Sequence, residues 1–212
     1  VDEKLLKSFD ETFENYLDQF KTFVESITVG GSISYNTEDQ NVKSIVEDSE
    51  NQIRKFPYQT PEHTIVDGVT YLETEEGPLP LEVFGAHNLN NLAGSKWICQ
   101  QMGVDQDDFY EAISSFSGAS KRLEKVAENA NCVVYKDFAH SPSKVKATTE
   151  AVKSQYPNRP LVACLELHTY SSLNATFLEQ YKGTLNAADT AVVFYSPQAV
   201  EIKKLDSVTE TQ

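Results

Sequence analysis

The sequence predicts an α/β protein whose second half is built on a parallel sheet, and three observations support this. Short apolar runs at residues 132–135, 161–165 and 191–195 alternate with helical segments at 142–155 and about 173–185. Alternation of this kind joins parallel strands through right-handed crossovers. Helical periodicity dominates the first half instead, broken by short strands. Between the halves lies Ser117-Gly118-Ala119-Ser120, small, polar and flexible, which sets a boundary between residues 1–116 and 117–212.

The elements follow in order. Phe9, Phe13, Leu17, Phe20, Val24 and Ile27 recur at three- and four-residue steps, so residues 9–27 form an amphipathic helix. Its phenylalanine stripe reads as core packing, not as a binding surface. Gly30-Gly31 stops the helix, and a short strand follows at 33–35. Residues 38–51 are acidic, with Val42, Ile45 and Val46 as a weak helical stripe. Short strands and turns occupy 57–80, among them 64–66 and 69–72. A helix over 88–102 ends near Gly103, and Asp105 starts another that runs to about Ser115. In the second half Pro142 suits the first position of a helix, with Ser141 as its N-cap. The three apolar strands there read as buried on both faces. Three parallel strands leave an open edge and a thin core. No further clear helix–strand unit follows Tyr195, and the chain opens at Val1, so both ends are expected to be cut from something longer.

Composition narrows the functional classes. The chain has 212 residues and carries 18 Lys+Arg against 32 Asp+Glu, a net charge of −14. A field of that sign repels phosphate backbones and argues against general nucleic-acid binding. A single nucleotide remains compatible, because a local arginine, helix N-termini or a metal can override the average. No 18-residue apolar stretch or signal-peptide pattern is present, so no membrane is implicated. Cys99, Cys132 and Cys164 are scattered through apolar runs. They read as buried thiols in a reducing, cytoplasmic setting, not as a disulfide or zinc framework. The Asn174-Ala175-Thr176 sequon is then incidental.

Four constellations are able to carry chemistry. In Gly85-Ala86-His87-Asn88-Leu89-Asn90-Asn91, at a helix entry, Asn88 and Asn91 share a face, and their amides suit the edge of a purine. Asn88 serves equally as an N-cap among surface asparagines. Phe116-Ser117-Gly118 precedes Lys121-Arg122-Leu123-Glu124, where Arg122 beside a hinge suits a terminal phosphate; a solvated basic pair opposite Glu124 is the alternative. Asp137-Phe138-Ala139-His140-Ser141-Pro142 follows a strand, where open α/β sheets bind ligands. Asp137 suits a ribose or an ammonium, and His140 an anion or a proton. Either residue also suits a purely structural role. Glu166-Leu167-His168-Thr169-Tyr170-Ser171-Ser172 repeats the pattern, so two successive strand ends deliver a histidine to one edge of the sheet. The four histidines show no metal-ligand spacing, and neither a phosphate loop nor a nucleophile elbow occurs.

In this order the motifs resemble the Mur ligases, the ATP-dependent amide-bond synthetases of bacterial cell-wall assembly, across roughly residues 80–175. The resemblance implies the C-terminal part of that family's central ATPase domain over 1–116. Over 117–212 it implies a Rossmann-like C-terminal ligase domain, incomplete here. It implies that His87, Asn88 and Asn91 contact adenine, Arg122 the terminal phosphate and Asp137 the ribose. His140 and His168, with Tyr170 and Ser171, then face the incoming amine, and His140 and Arg122 serve catalysis. ATP and Mg2+ are the implied cofactors, with the metal ligands in sequence outside this chain. The implied substrates are UDP-N-acetylmuramate and an amino-acid or peptide acceptor. Thr169 and Ser172 stand where the L-alanine-adding branch carries arginines, Ser141 where it carries a second histidine and Lys136 where it carries an aspartate. These departures favour the branch that reattaches recycled tripeptide, murein peptide ligase. Without phosphate loop or UDP-sugar site, residues 1–212 alone are expected to be inactive. The alternatives are a folylpolyglutamate-synthase-like ligase and a non-catalytic adenine-nucleotide-binding module.

Overall fold

The computed structural model describes residues 13–203; the expected helix start at Phe9 lies outside them. The chain divides into two units. One comprises Val1–Thr64, Tyr71–Leu81 and Ala86–Phe116, the other Ile65–Thr70, Glu82–Gly85 and Ser117–Gln212.

In the first unit, α1 (Phe13–Ser26) and α2 (Gln40–Glu47) pack around the parallel pair of β1 (Ser32–Asn36) and β2 (Arg54–Tyr58). Val24, Tyr35 and Val46 are buried together, flanked by Ile33, Val42, Ile45 and Ile53. The side-chain amide of Asn51 donates to the carbonyls of Val24 and Ile27, both at 2.9 Å. It thus satisfies carbonyls at the end of α1 that the helix itself leaves open. Contrary to the sequence expectation, the phenylalanine stripe is not core. Phe13 and Phe20 are exposed, as is neighbouring Phe23, and among the described stripe positions only Val24 is fully buried. Tyr16 and Phe20 instead meet edge to face, 5.0 Å between centroids.

Strand β2 escapes sequence reading because Arg-Lys-Phe-Pro-Tyr has no alternation and contains a proline. An edge strand tolerates Pro57, since the missing N–H faces no partner. Next come β3 (His63–Val66), β4 (Val69–Thr74) and β5 (Gly77–Leu81), which form a sheet in that order. Helix α3 (Ala86–Gln101) then packs on β1 and β2, and α4 (Gln106–Ser114) on α3 and β5. Gly94 lets α3 approach closely, because a Cβ there would lie 2.9 Å from the Tyr58 ring. Asp105 caps α4 by accepting the Asp108 amide at 2.8 Å.

In the second unit, β6 (Glu124–Glu128) pairs antiparallel with β7 (Val133–Lys136), and α5 (Pro142–Gln155) follows. β8 (Val162–Leu167) and β9 (Thr190–Tyr195) pair in parallel, separated by α6 (Ala175–Leu178) and a 3-10 turn, with α7 (Pro197–Ile202) after β9. Val145, Leu165, Leu167, Leu173 and Val200 form its larger core, and Phe84, Leu123 and Ala151 a smaller one. Buried Thr70 donates to Gln155, itself buried, at 2.9 Å, and the Gln155 amide donates to the Gly68 carbonyl at 2.7 Å. Each polar group there is satisfied, as burial demands.

Four expectations need correction. The parallel pairing holds for β8 and β9, but β7 takes the antiparallel strand β6 as its neighbour. Between β7 and β8 lies a groove of about 460 Å³. Consecutive residues of both strands line it, Val133 to Tyr135 and Val162 to Leu165, so the strands face it edge-on. The helix expected over 173–185 is one turn only, because its apolar residues already fold inward from turns. None of the three strands is buried on both faces: Val134 of β7 and Val162 of β8 are exposed, and Val192, Val193 and Phe194 of β9 are 47%, 52% and 57% exposed. The cysteines are not buried thiols: Cys132, just before β7, and Cys164 in β8 are exposed, and Cys99 in α3 is half-buried, because an apolar run in sequence does not say whether another element covers it.

Candidate functional site

The first unit carries the His87 motif on α3, which begins at Ala86 after Gly85 at φ 86°. His87 and Asn88 therefore lie in the first turn, and Asn88 is not the N-cap. Asn91, one turn on, is exposed on the same face as Asn88. First-turn N–H groups and their dipole accompany these amides, an environment suited to an electron-rich ligand edge. Asn90, which carried no role in the sequence reading, holds this turn in place. Its amide donates to Glu38 at 2.5 Å and to the Thr60 hydroxyl at 3.1 Å, and Thr60 donates to the same carboxylate at 2.8 Å.

The second unit holds the remaining candidates. Arg122 lies in a tight loop before β6, exposed, between Lys121 at φ 57° and Leu123 at φ 48°. Leu123 turns into the small core with Phe84 and Ala151, which leaves Arg122 pointing to solvent. Glu124 accepts the Lys121 amide at 2.7 Å and the Ser120 hydroxyl at 3.2 Å. Those two bonds, the Lys121 amide first, hold its carboxyl below the usual glutamate range, and the charges of Lys136 and Lys121 add to them.

Asp137 is occupied by the main chain. One oxygen accepts the Leu123 amide at 2.7 Å and the other the Ala139 amide at 2.6 Å. A carboxylate keeps further lone pairs beyond these two bonds, so a hydroxyl can still donate to it. His140 and His168 come together at the carboxyl ends of β7 and β8, with ring centroids 6.2 Å apart. Phe138 lies beside both, at 4.9 and 6.2 Å. Each histidine sets Nδ1 against a main-chain carbonyl, Phe138 at 2.9 Å and Glu166 at 3.3 Å. A carbonyl has no proton to give, so Nδ1 donates there, and in the neutral ring Nε2 is then the acceptor. Two such acceptors suit an ammonium or an amine that must lose a proton. The Tyr181 hydroxyl donates to the His140 carbonyl and steadies that corner.

The Glu166–Ser172 segment is less open than its sequence suggests. Ser172 is buried and bonded to the Thr169 amide and hydroxyl at 2.9 and 2.8 Å. Ser171 lies 3.2 Å from the same hydroxyl. Tyr170 is exposed, with the Lys203 ammonium 4.0 Å over its ring. Among the described residues no three His, Cys, Asp or Glu side chains gather as a metal site would require. Nor is any described helix long and apolar enough to cross a membrane.

Sequence reading missed Phe138 as the ring between the histidines, and Glu124 and Asp137 as anchors of the Arg122 loop. The first was legible as an apolar residue inside a polar motif. The others depend on positive φ angles at Lys121 and Leu123, which no residue type there announces.

No family model matches the chain. Among curated proteins it is 30% identical over 188 residues to the UDP-N-acetylmuramate–L-alanine ligase of Caldicellulosiruptor bescii, covering 83% of this chain and 41% of that protein. The Aquifex aeolicus ligase of the same name is 26% identical over 196 residues, covering 87% and 43%. The chain thus spans less than half the length of these relatives. Among solved structures, the Thermotoga maritima UDP-N-acetylmuramate-alanine ligase superposes with a TM-score of 0.66 at 16% identity, over 95% of this chain and 47% of that one. A complex of folylpolyglutamate synthase with AMPPCP and folate superposes at 0.62 and 16% identity, over 85% and 46%.

Proposed function

We propose that this chain, which belongs to the Mur ligase family, contributes to an ATP-dependent carbon–nitrogen ligase of peptidoglycan synthesis. The reaction joins the carboxylate of UDP-N-acetylmuramate to an amine. The observation that carries this reading is the pairing of His140 and His168, each with Nε2 as acceptor, on the unit that also bears Arg122 and Asp137.

The chemistry follows from what a carboxylate lacks, a leaving group. Transfer of the γ-phosphoryl of ATP to it breaks one P–O bond, forms another and releases ADP. The amine then attacks the acyl phosphate carbon, and the tetrahedral intermediate collapses with loss of phosphate. The attacking amine must be neutral, and its proton has an acceptor in Nε2 of His140, with His168 bracketing the same nitrogen. Arg122 presents an exposed, planar guanidinium fork, which matches phosphate oxygens. Asp137 takes the ribose hydroxyls on the lone pairs that Leu123 and Ala139 leave. His87, Asn88 and Asn91 read the adenine edge. In this reading residues 1–116 belong to the ATP-binding domain and 117–212 to the C-terminal ligase domain, in a cytoplasmic enzyme. Magnesium would neutralise developing phosphate charge when bound, held by ligands that this reading assigns to sequence outside this chain.

The acceptor is L-alanine in the first reading, because the relatives quoted are L-alanine-adding ligases. This displaces the tripeptide preferred from the motif alone. Tripeptide stays as the second reading on one observation: Thr169 and Ser172, bonded to each other, offer no charge to a free amino-acid carboxylate. The test is ADP release by the polypeptide at the full length its gene encodes, with ATP, Mg2+, UDP-N-acetylmuramate and either L-alanine or L-Ala-γ-D-Glu-meso-diaminopimelate. L-alanine is expected to stimulate more strongly. Stronger stimulation by the tripeptide reverses the acceptor order, and no amine-dependent ADP with either refutes the ligase reading.

A further inference from the structure

Arg122 is useful only if its guanidinium is delivered to one place, and the backbone that carries it is unusual. The two residues that flank it, Lys121 and Leu123, both adopt positive φ, and Gly118 does so three residues earlier. Side chains other than glycine avoid that region because Cβ crowds the backbone, so such a loop persists only when its surroundings over-determine it. Here the restraints come from both sides. Leu123 is tied through its amide to Asp137 and through its side chain to the small core. The Lys121 carbonyl accepts the Phe138 amide at 2.9 Å, and the Arg122 amide closes a turn onto the Ala119 carbonyl at 3.1 Å. What remains is the approach to Arg122 from Ser120 and Lys121, and one oxygen of Glu124 holds both.

We infer that Glu124 is a positioning residue for Arg122: by clamping the Ser120 hydroxyl and the Lys121 amide it presets the backbone from which Arg122 reaches its phosphate. This rests on the reading of Arg122 as a phosphate ligand. Glu124 does not touch substrate itself, and a carboxylate beside a phosphate would repel it. Its value is therefore conformational. A loop ordered before the ligand arrives keeps the guanidinium in register, whereas a loose one must be ordered during binding. Because both bonds converge on a single oxygen, a glutamine can reproduce the geometry with its amide oxygen, without the charge. An alanine cannot.

The experiment is a double-mutant cycle in the full-length ligase, read as kcat/KM for ATP. Arg122→Ala tests the phosphate reading. Glu124→Ala is expected to lower kcat/KM about tenfold, and Glu124→Gln to stay within about threefold of the unaltered enzyme. In the Arg122→Ala background, Glu124→Ala is expected to change little, about twofold or less, since it acts through the side chain already removed. A fall in Arg122→Ala combined with a multiplicative effect in the double variant overturns the positioning role and leaves the phosphate reading intact. Unchanged kinetics in Arg122→Ala overturn the phosphate reading, and this inference with it. A second measurement does not depend on catalysis or on a variant folding. In unaltered chain 1–212, the Lys121 amide proton should shift with pH as the Glu124 carboxyl titrates, and a pH-independent signal overturns the clamp.

Discussion

Replacing Asp137 with alanine separates a structural carboxylate from one kept only for a ligand. Asp137 accepts the Leu123 amide at 2.7 Å and the Ala139 amide at 2.6 Å, one on each oxygen. Hydrogen bonds to a charged acceptor contribute about 1.5–3 kcal/mol each. Asp137 is half-buried, so water can partly re-solvate the freed amides, and the lower half of that range applies. Two bonds together give about 3–4.5 kcal/mol. The loss also releases Leu123, which sits at φ 48° with its side chain in the core. For a domain of this size each kcal/mol moves the melting temperature by about 4–8 °C, so the second unit should melt lower by roughly 12 °C or more. Calorimetry on chain 1–212 without nucleotide is the assay, because only the second unit should respond. Asp137→Asn keeps one acceptor oxygen and should lose about half as much. A melting temperature for Asp137→Ala within about 1 °C of the unaltered chain would refute the reasoning and return Asp137 to a role in ligand binding alone.

Two further outcomes can be checked on the same chain. Gly94→Ala places a Cβ 2.9 Å from the Tyr58 ring, so it should cost about 1–3 kcal/mol of overpacking in the first unit, read by urea unfolding through the fluorescence of nearby Trp97; an unchanged midpoint would show that the Tyr58 ring yields freely. Burial first, then the bonded Tyr156 hydroxyl, raises the Tyr135 phenol far above the usual tyrosine range. A raised folded value means that its contribution is full below the ordinary tyrosine pKa of about 10 and is lost as pH climbs above it. Melting temperatures from pH 8 upward should therefore fall more steeply for the unaltered chain than for Tyr135→Phe, and parallel curves would contradict this.

Much of the architecture was legible because hydrophobic period is a local property. The runs around Val133, Cys164 and Val192 became strands, and Pro142 opened its helix behind Ser141, although Ser141 makes no side-chain cap bond. Strand β2 was not legible, since Arg-Lys-Phe-Pro-Tyr has neither alternation nor β-branched residues and forms only against β1. The phenylalanines of α1 were misjudged for a related reason. Periodicity locates an apolar stripe, but whether anything covers it depends on the rest of the fold.

The candidate site divides along the same line. Residue types and their order in the chain carried the resemblance to the Mur ligases and marked two histidines just after successive strands, because the residues that follow a strand lie where an open α/β sheet binds ligands. Only the tertiary structure decided how those side chains are committed. It set Nδ1 of each histidine against a carbonyl, which turns Nε2 away from that bond. It engaged both oxygens of Asp137 with main-chain amides and made Glu124 the anchor of the Arg122 loop. Most of these bonds join residues two to four apart, and only the Leu123 amide reaches Asp137 from 14 residues away; residue type alone does not announce them, because they depend on the local backbone angles, among them the positive φ at Lys121 and Leu123.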